Sequence, residues 1–327
     1  MKSRLNVLYS LSVSAALLAG CGDPKDDVPA TPDLATAPDL GVSARKDLVD
    51  TAIGAGQFTT LVAAVQGAGL EQTLRGPGPF TVFAPTDDAF QKVPAFLLSK
   101  LVTPPYKTEL GLILKYHVLA GQVKAADVLG KKQDVASLQG ASLNVDGSGG
   151  KVVLNGSINV TKPDVLGKNG VIHVIDGVLL PTLVDTAIGY DDGTAKFSTL
   201  VAAVKAAGLV DTLNGPGPFT IFAPTDAAFA ALKTALGDAA FDALLANKAK
   251  LTRVLTYHVL AAAAYQKDIA SGAVTTVETG KLNVTVANSK VTIADSTATA
   301  ANVVFTDVPG RNGVIHVIDK VLIPPGL

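Results

Sequence analysis

The sequence predicts two α+β domains of one design, arranged in tandem. Three observations carry this expectation: an internal repeat that spans most of the chain, a switch within each copy from helical periodicity to β-branched alternation, and a length of 327 residues, which suits two ordinary domains. The repeat is ordered. Phe58–Leu70 recurs as Phe197–Leu209 and Gly76–Phe90 as Gly215–Phe229, both displaced by 139 residues, while Tyr116–Leu119 returns after 141 and Asn169–Asp176 after 143. Solenoid units repeat every ~20–50 residues, so a period this long implies that each copy owns a core.

Within copy one, Phe58, Leu61, Val62 and Val65 recur at three and four, the apolar stripe of an amphipathic helix. Gly69 is the expected stop, and Leu70 to Leu74 restarts a short helix. Gly76-Pro-Gly-Pro79 reads as a turn, Phe80–Phe83 as a buried strand, and Thr86 or Asp87 as the N-cap of the next helix. A longer helix follows over Tyr106–Tyr116. From Val118 onward the pattern is that of strands: Leu143–Val145, Val152–Leu154, Ile158–Val160 and Val171–Ile175. Helices first and strands later give an α+β domain with a mainly antiparallel sheet system. At the join, Val178-Leu-Leu-Pro181 runs directly into Thr182–Ile188, which matches Asp47–Ile53, so no flexible linker is expected between the copies.

The blocks FTVFAPTDDAF and FTIFAPTDAAF, YHVL twice, and NGVIHVID twice, followed by VLLP or VLIP, resemble the fasciclin domain. The resemblance frames residues 46–181 and 182–327. It implies two fasciclin-like domains, each a β-sheet wedge with a packed helical layer, in a surface or secreted protein that serves adhesion and not catalysis.

Composition narrows the function. Lys and Arg number 27 against 28 Asp and Glu, a balance that argues against a nucleic-acid-tracking surface. With 48% hydrophobic and 17% charged residues the chain is expected to fold. Its start is basic (Met1–Arg4), then apolar from Leu5 to Leu18, and ends in Leu18-Ala-Gly-Cys21. That is the shape of a secretory signal closed by a sequence resembling the bacterial lipobox, where small residues admit the peptidase and Cys21 takes the lipid. Residues 1–20 are therefore expected to be a lipoprotein signal peptide. Residues 21–45, with four Pro between Gly22 and Ser43, are expected to form an extended tether. The lipid would hold the protein on the cell envelope, on the outer membrane if the host is Gram-negative, since Gly22 and not Asp follows Cys21.

Candidate chemistry is sparse. All four His lie in the repeated motifs, as His117, His173, His258 and His316. Metal ligation would need further donors, with only Asp176 and Asp319 near in sequence, and the reading preferred is buried, neutral rings bonded to backbone. No metal or other cofactor is expected. There is no Gly-x-Ser-x-Gly elbow for a nucleophile, and the prolines of Gly76–Pro79 remove amides that a phosphate would need. The resemblance implicates residues around the Tyr-His motif and an Asp-Ile-like pair in receptor binding. Here these are Tyr116, His117, Tyr257 and His258, with Asp164-Val165 and Asp307-Val308, where Val stands in place of the usual Ile. Packing of Tyr, His and Val in the core is the competing reading, and Asp164 is the position most expected to be exposed. Copy two departs where Gly121 becomes Ala262 and where four residues are gained near Tyr190–Gly193. The expected function is a non-catalytic adhesion or binding module with a protein or polysaccharide ligand and no nucleic acid. An envelope carrier of a small apolar ligand is the first alternative, and a hydrolase the second.

Overall fold

The computed structural model describes residues 45–327 apart from 194; the expected signal peptide, Cys21 and all but the last residue of the expected tether lie outside the described residues. Copy one opens with α1 (Leu48–Ala55), α2 (Thr59–Gly67) and α3 (Glu71–Arg75), then β1 (Phe80–Pro85), α4 (Asp87–Gln91), α5 (Ala95–Leu101) and α6 (Lys107–Tyr116). It continues with β2 (Val118–Ala120), α7 (Ala125–Val128), β3 (Lys132–Ala136), β4 (Ser142–Asp146), β5 (Val153–Leu154), β6 (Ile158–Gly167) and β7 (Gly170–Ile175). Copy two repeats this with α8 (Leu183–Gly189), α9 (Ser198–Ala207), α10 (Val210–Asn214), β8 (Phe219–Pro224), α11 (Asp226–Leu236), α12 (Asp238–Ala246), α13 (Lys248–Tyr257) and β9 (Val259–Leu260). Its remaining strands are β10 (Gly272–Thr275), β11 (Lys281–Ala287), β12 (Lys290–Ala294), β13 (Ala301–Gly310) and β14 (Gly313–Ile318).

Each copy carries one seven-stranded sheet, ordered β2-β1-β7-β6-β5-β4-β3 and β10-β11-β12-β13-β14-β8-β9, the same topology read from opposite ends. All pairings are antiparallel except β1 with β7 and β8 with β14, which are parallel. The long strand β6 bends the sheet into a wedge: its register against β7 slips between Val160 and Lys162 and again between Lys162 and Val165. Asp164 sits in that bulge at φ 59° and Asp307 in the matching bulge of β13 at φ 59°, a left-handed conformation that Asp tolerates better than β-branched residues.

Two cores result in each copy. One lies between the helices and the sheet (Leu61, Val65, Phe90, Ile113, Ile172) and the other inside the wedge (Tyr116, Leu119, Leu143, Leu154, Ile175). The helical core of copy two contains one visitor, Leu112 from α6 of copy one.

Local chemistry explains the ends of the helices. Thr86 and Thr225 are the N-caps of α4 and α11, accepting from the amides of Ala89 and Ala228. Asp87 does not cap its own helix. It reaches back across the chain to accept from the amide and hydroxyl of Thr59 and from the amide of Thr60, the free donors that open α2. Burial works against its charge, but these hydrogen bonds prevail and hold its carboxyl at about 2. Asp226 does the same for Ser198 and Thr199. Helix α4 is short because Pro94 follows; copy two has no proline there, and α11 runs on to Leu236. Asn169 staples the fold together, accepting from the Leu48 amide and donating to the carbonyls of Leu74 and Gly76. Its neighbour Gly170 must lack a side chain, since a Cβ would lie 2.0 Å from the Phe80 carbonyl oxygen. Asn312 and Gly313 repeat both features.

Candidate functional site

The Tyr-His motif closes α6 and α13 and belongs to the interior. Tyr116 and Tyr257 are 1% exposed, His117 and His258 2%. The Tyr116 hydroxyl donates to the Ser142 carbonyl and accepts from the Asn155 amide, so it ties the helix to the wedge. Tyr257 donates to the Lys281 carbonyl at 2.7 Å. His117 Nδ1–H donates to the Ile113 carbonyl at 2.7 Å, while Nε2 accepts from the Leu179 amide at 2.9 Å. His258 bonds Val254 and Leu322 in the same way.

The second pair, His173 and His316, takes the opposite tautomer. Nε2–H donates to the carbonyl of Val123 or Ala264, and Nδ1 accepts from the amide of Asp164 or Asp307. Burial lowers the pKa of all four rings, of His117 and His258 to about 4. Every imidazole nitrogen is thus engaged by backbone. Asp176 and Asp319 are spent as well, each accepting from the amide and side chain of an Asn on the neighbouring strand.

The Asp-Val corner differs between the copies. Asp164 is exposed, and its Oδ1 accepts from the Ala125 amide that opens α7, at 3.0 Å. Val165 is half-buried beneath it. Lys124 and Lys162 flank the corner, both exposed and without an ion pair among the described residues. In copy two Asp307 is 1% exposed and Val308 is fully buried.

Copy one covers that second corner. Lys100 of α5 donates to Asp307 and to the Gln266 side chain, Gln266 accepts from the Thr306 hydroxyl at 2.9 Å, and the Gln266 amide donates to Asp307 Oδ1 at 2.8 Å. Aromatic contacts frame the pair: Tyr106 on Phe305 at 4.5 Å and Phe96 on Tyr265 at 5.0 Å. The residues in copy one matching Phe305 and Tyr265 are Lys162 and Lys124. The contact between copies extends to Gln139, which donates to the Asp185 carbonyl at 2.8 Å, and to Leu112. Glu109 is buried there as well, and neither of its oxygens accepts a hydrogen bond. Burial pushes its pKa up.

The departure at Ala262 is absorbed quietly. Gly121 has φ +98°, which Ala262 does not share, and β9 is one residue shorter than β2. The carbonyls of Gly121 and Ala262 nevertheless both accept from the hydroxyl of a buried threonine, Thr81 or Thr220.

A cavity of about 350 Å³ lies in copy one under α1, α2, α3 and α6, floored by Val82, Ala84 and Ile172 of the sheet. Its counterpart in copy two measures only about 30 Å³. Every residue lining the smaller cavity has a counterpart lining the larger, identical except that Ile221 replaces Val82; the larger is lined besides by Gln66, Leu70, Thr73, Lys115 and Leu138. The helices above them differ too: Ala207 in the last turn of α9 is 3% exposed, whereas its counterpart Ala68, after Gly67, is only half-buried. The positions that line both cavities read alike in sequence, so they do not tell which copy holds the larger one.

Comparison with known proteins follows the repeat. The model of the fasciclin domain matches residues 56–181 and 195–324. Protein sll1483 of Synechocystis is 47% identical over 136 residues, which is 42% of this chain and 74% of that protein. The transforming growth factor-beta-induced protein ig-h3 of Sus scrofa is 32% identical over 273 residues, covering 82% of this chain but only 36% of its own length. Among solved structures, a domain pair from the insect cell adhesion molecule fasciclin I covers 84% of this chain and is itself covered to 97%, at 19% identity and a TM-score of 0.40.

Proposed function

Because this chain belongs to the fasciclin domain family and carries two copies of the domain in tandem, we propose that it is a non-catalytic adhesion or binding module held on the cell envelope by a lipid at Cys21. In this reading residues 1–20 are the signal peptide, 21–45 the tether, and 46–181 and 182–327 the displayed domains. One observation carries it. The Asp-Val corner of copy two is engaged by a neighbouring domain, with a lysine on the aspartate and aromatic rings to either side. The same corner of copy one, Asp164 and Val165, stands open. A surface that receives protein in one copy supports the reading that it receives a protein or polysaccharide partner in the other. The four Tyr-His residues tie the helix ends to the wedge in the interior, and the corner itself is braced by His173 and His316.

Cells displaying the full chain test this by their rate of aggregation or attachment. Asp164→Lys combined with Lys124→Glu should weaken attachment by about tenfold, the effect of losing a central contact. Undiminished attachment by the variant would remove the corner from the mechanism, and no gain on display of the wild type would remove adhesion itself.

The cavity of copy one favours a second reading, a carrier of a small apolar ligand, since pockets of roughly 300–1,000 Å³ are the usual size for such sites. A hydrolase has less to support it: a general base needs a free imidazole nitrogen beside a nucleophile, and all eight nitrogens here are committed to backbone.

A further inference from the structure

We propose that the cavity of copy one takes the hydrocarbon chain of a free fatty acid, with the carboxylate held at its mouth by Lys115; this rests on the carrier reading and names its ligand. The interior is aliphatic. Leu, Val, Ala and Ile line it, with no Phe, Tyr or Trp to stack on a ring. The one polar group on the inner wall, His117, has both nitrogens engaged, so nothing inside can orient a polar ligand.

Polarity is confined to the rim. Gln66, Thr73 and Lys115 line the cavity, all three are exposed, and none of their side chains has a partner among the described residues. One cation on a rim that also carries an amide and a hydroxyl is complementary to a carboxylate. Size sets the chain. A cavity of about 150 Å³ holds one benzene, so the volume here suits roughly ten to twelve carbons in a single chain.

Copy two supplies an internal control. Its cavity is about 30 Å³, none of its lining residues is charged, and the residue matching Lys115 is Thr256, whose hydroxyl is tied back to the Thr252 carbonyl at 2.8 Å. Binding therefore belongs to copy one alone.

Calorimetric titration of the full chain with dodecanoate, dodecanol and a twelve-carbon lysophosphatidylcholine decides the matter. Dodecanoate should bind one to one and most tightly of the three. Filling the cavity with Ala52→Leu or Val62→Phe should weaken it at least tenfold, either variant sufficing if the other fails to fold by circular dichroism. Val201→Phe, the match of Val62→Phe in copy two, should leave it unchanged. Lys115→Gln should weaken dodecanoate two- to fivefold, the modest effect of an exposed charge, and leave dodecanol as it was.

If dodecanol binds as tightly as dodecanoate and Lys115→Gln changes neither, the fatty-acid assignment is overturned while the carrier reading stands. Tighter binding of the lysophospholipid would replace the free acid by a membrane lipid and overturn the proposal. If none of the three binds, both readings fail. Loss of binding in Val201→Phe but not in Val62→Phe would place the site in the wrong copy and overturn it too.

Discussion

Asp164 and Asp307 sit in the same bulge of the same strand at the same φ of 59°, yet one faces solvent and the other is 1% exposed. Copy two contributes to that difference, with Phe305, Tyr265 and Gln266 at positions held by Lys162, Lys124 and Ala125 in copy one. The covering groups are Lys100, Tyr106 and Phe96, which lie on the copy-one side of the contact and have no counterpart in front of copy one. The cavities differ as well: linings that share most of their aliphatic residues enclose about 350 Å³ in one copy and about 30 Å³ in the other. Duplication gave two equal scaffolds, and packing between and within them has made one corner structural and left the other available.

The largest expected effect is one in which the copies should agree. The rings of His117 and His258 are held neutral, with pKa near 4 against an ordinary 6.5. Below 6.5 the unfolded chain binds protons that the folded chain refuses, so stability is full at neutral pH and falls as pH drops from 6.5 toward 4. Each ring accounts for roughly 3 kcal/mol over that window. Urea midpoints at pH 7 and pH 4.5 should show both domains losing stability together, and a loss confined to one would break the equivalence of the Tyr-His cores.

Next in size is the contact between copies. Lys100→Ala leaves Asp307 buried without its cation, and about 3 kcal/mol should be lost. Asp307→Asn in that background should recover much of it, whereas Asp164→Asn should change stability by less than about 0.5 kcal/mol. Calorimetry on the three variants checks the contrast. Leu112→Ala should cost about 2 kcal/mol through the cavity it leaves in the core of copy two. Its counterpart Arg253 instead bonds Glu278 and the carbonyls of Pro325 and Gly326 near the C-terminal end.

Much of this was legible beforehand, and the part that was not shares a cause. Thr86 as a cap, Gly69 as a stop and buried His rings follow from rules that act within a few residues. The parallel pairing of β1 with β7 joins segments some ninety residues apart. Asp87 caps a helix that begins 28 residues earlier. Local periodicity carries no information on either. The burial of Asp307 was least legible, since its sequence environment resembles that of Asp164 and the deciding residue, Lys100, lies 207 positions away. Lys100 lies between the repeated blocks that end at Phe90 and open at Tyr116, in a segment that copy two does not repeat, so the repeat itself hid the asymmetry.

A smaller effect sharpens the boundary between copies. Burial raises the pKa of Glu109, so the folded chain holds a proton that the unfolded chain releases as pH rises above 4.5. Stability from this site is full at low pH and is lost as pH climbs. Glu109→Gln should therefore raise the melting temperature by a few degrees at pH 8 and leave it unchanged at pH 4. A fall at pH 8 would mean that Glu109 is ionised and paired.

The account turns on one corner being free and its twin being covered, and thiol labelling reads that directly. The chain has a single cysteine, Cys21. In a Cys21→Ser background, Pro163→Cys and Thr306→Cys place one thiol at matching positions beside Asp164 and Asp307. The thiol at 163 should react with a maleimide at the rate of an exposed cysteine, and the thiol at 306 at least tenfold more slowly until Lys100→Ala loosens the contact. Equal rates at the two positions, with no response to Lys100→Ala, would contradict the asymmetry on which the proposed binding surface depends.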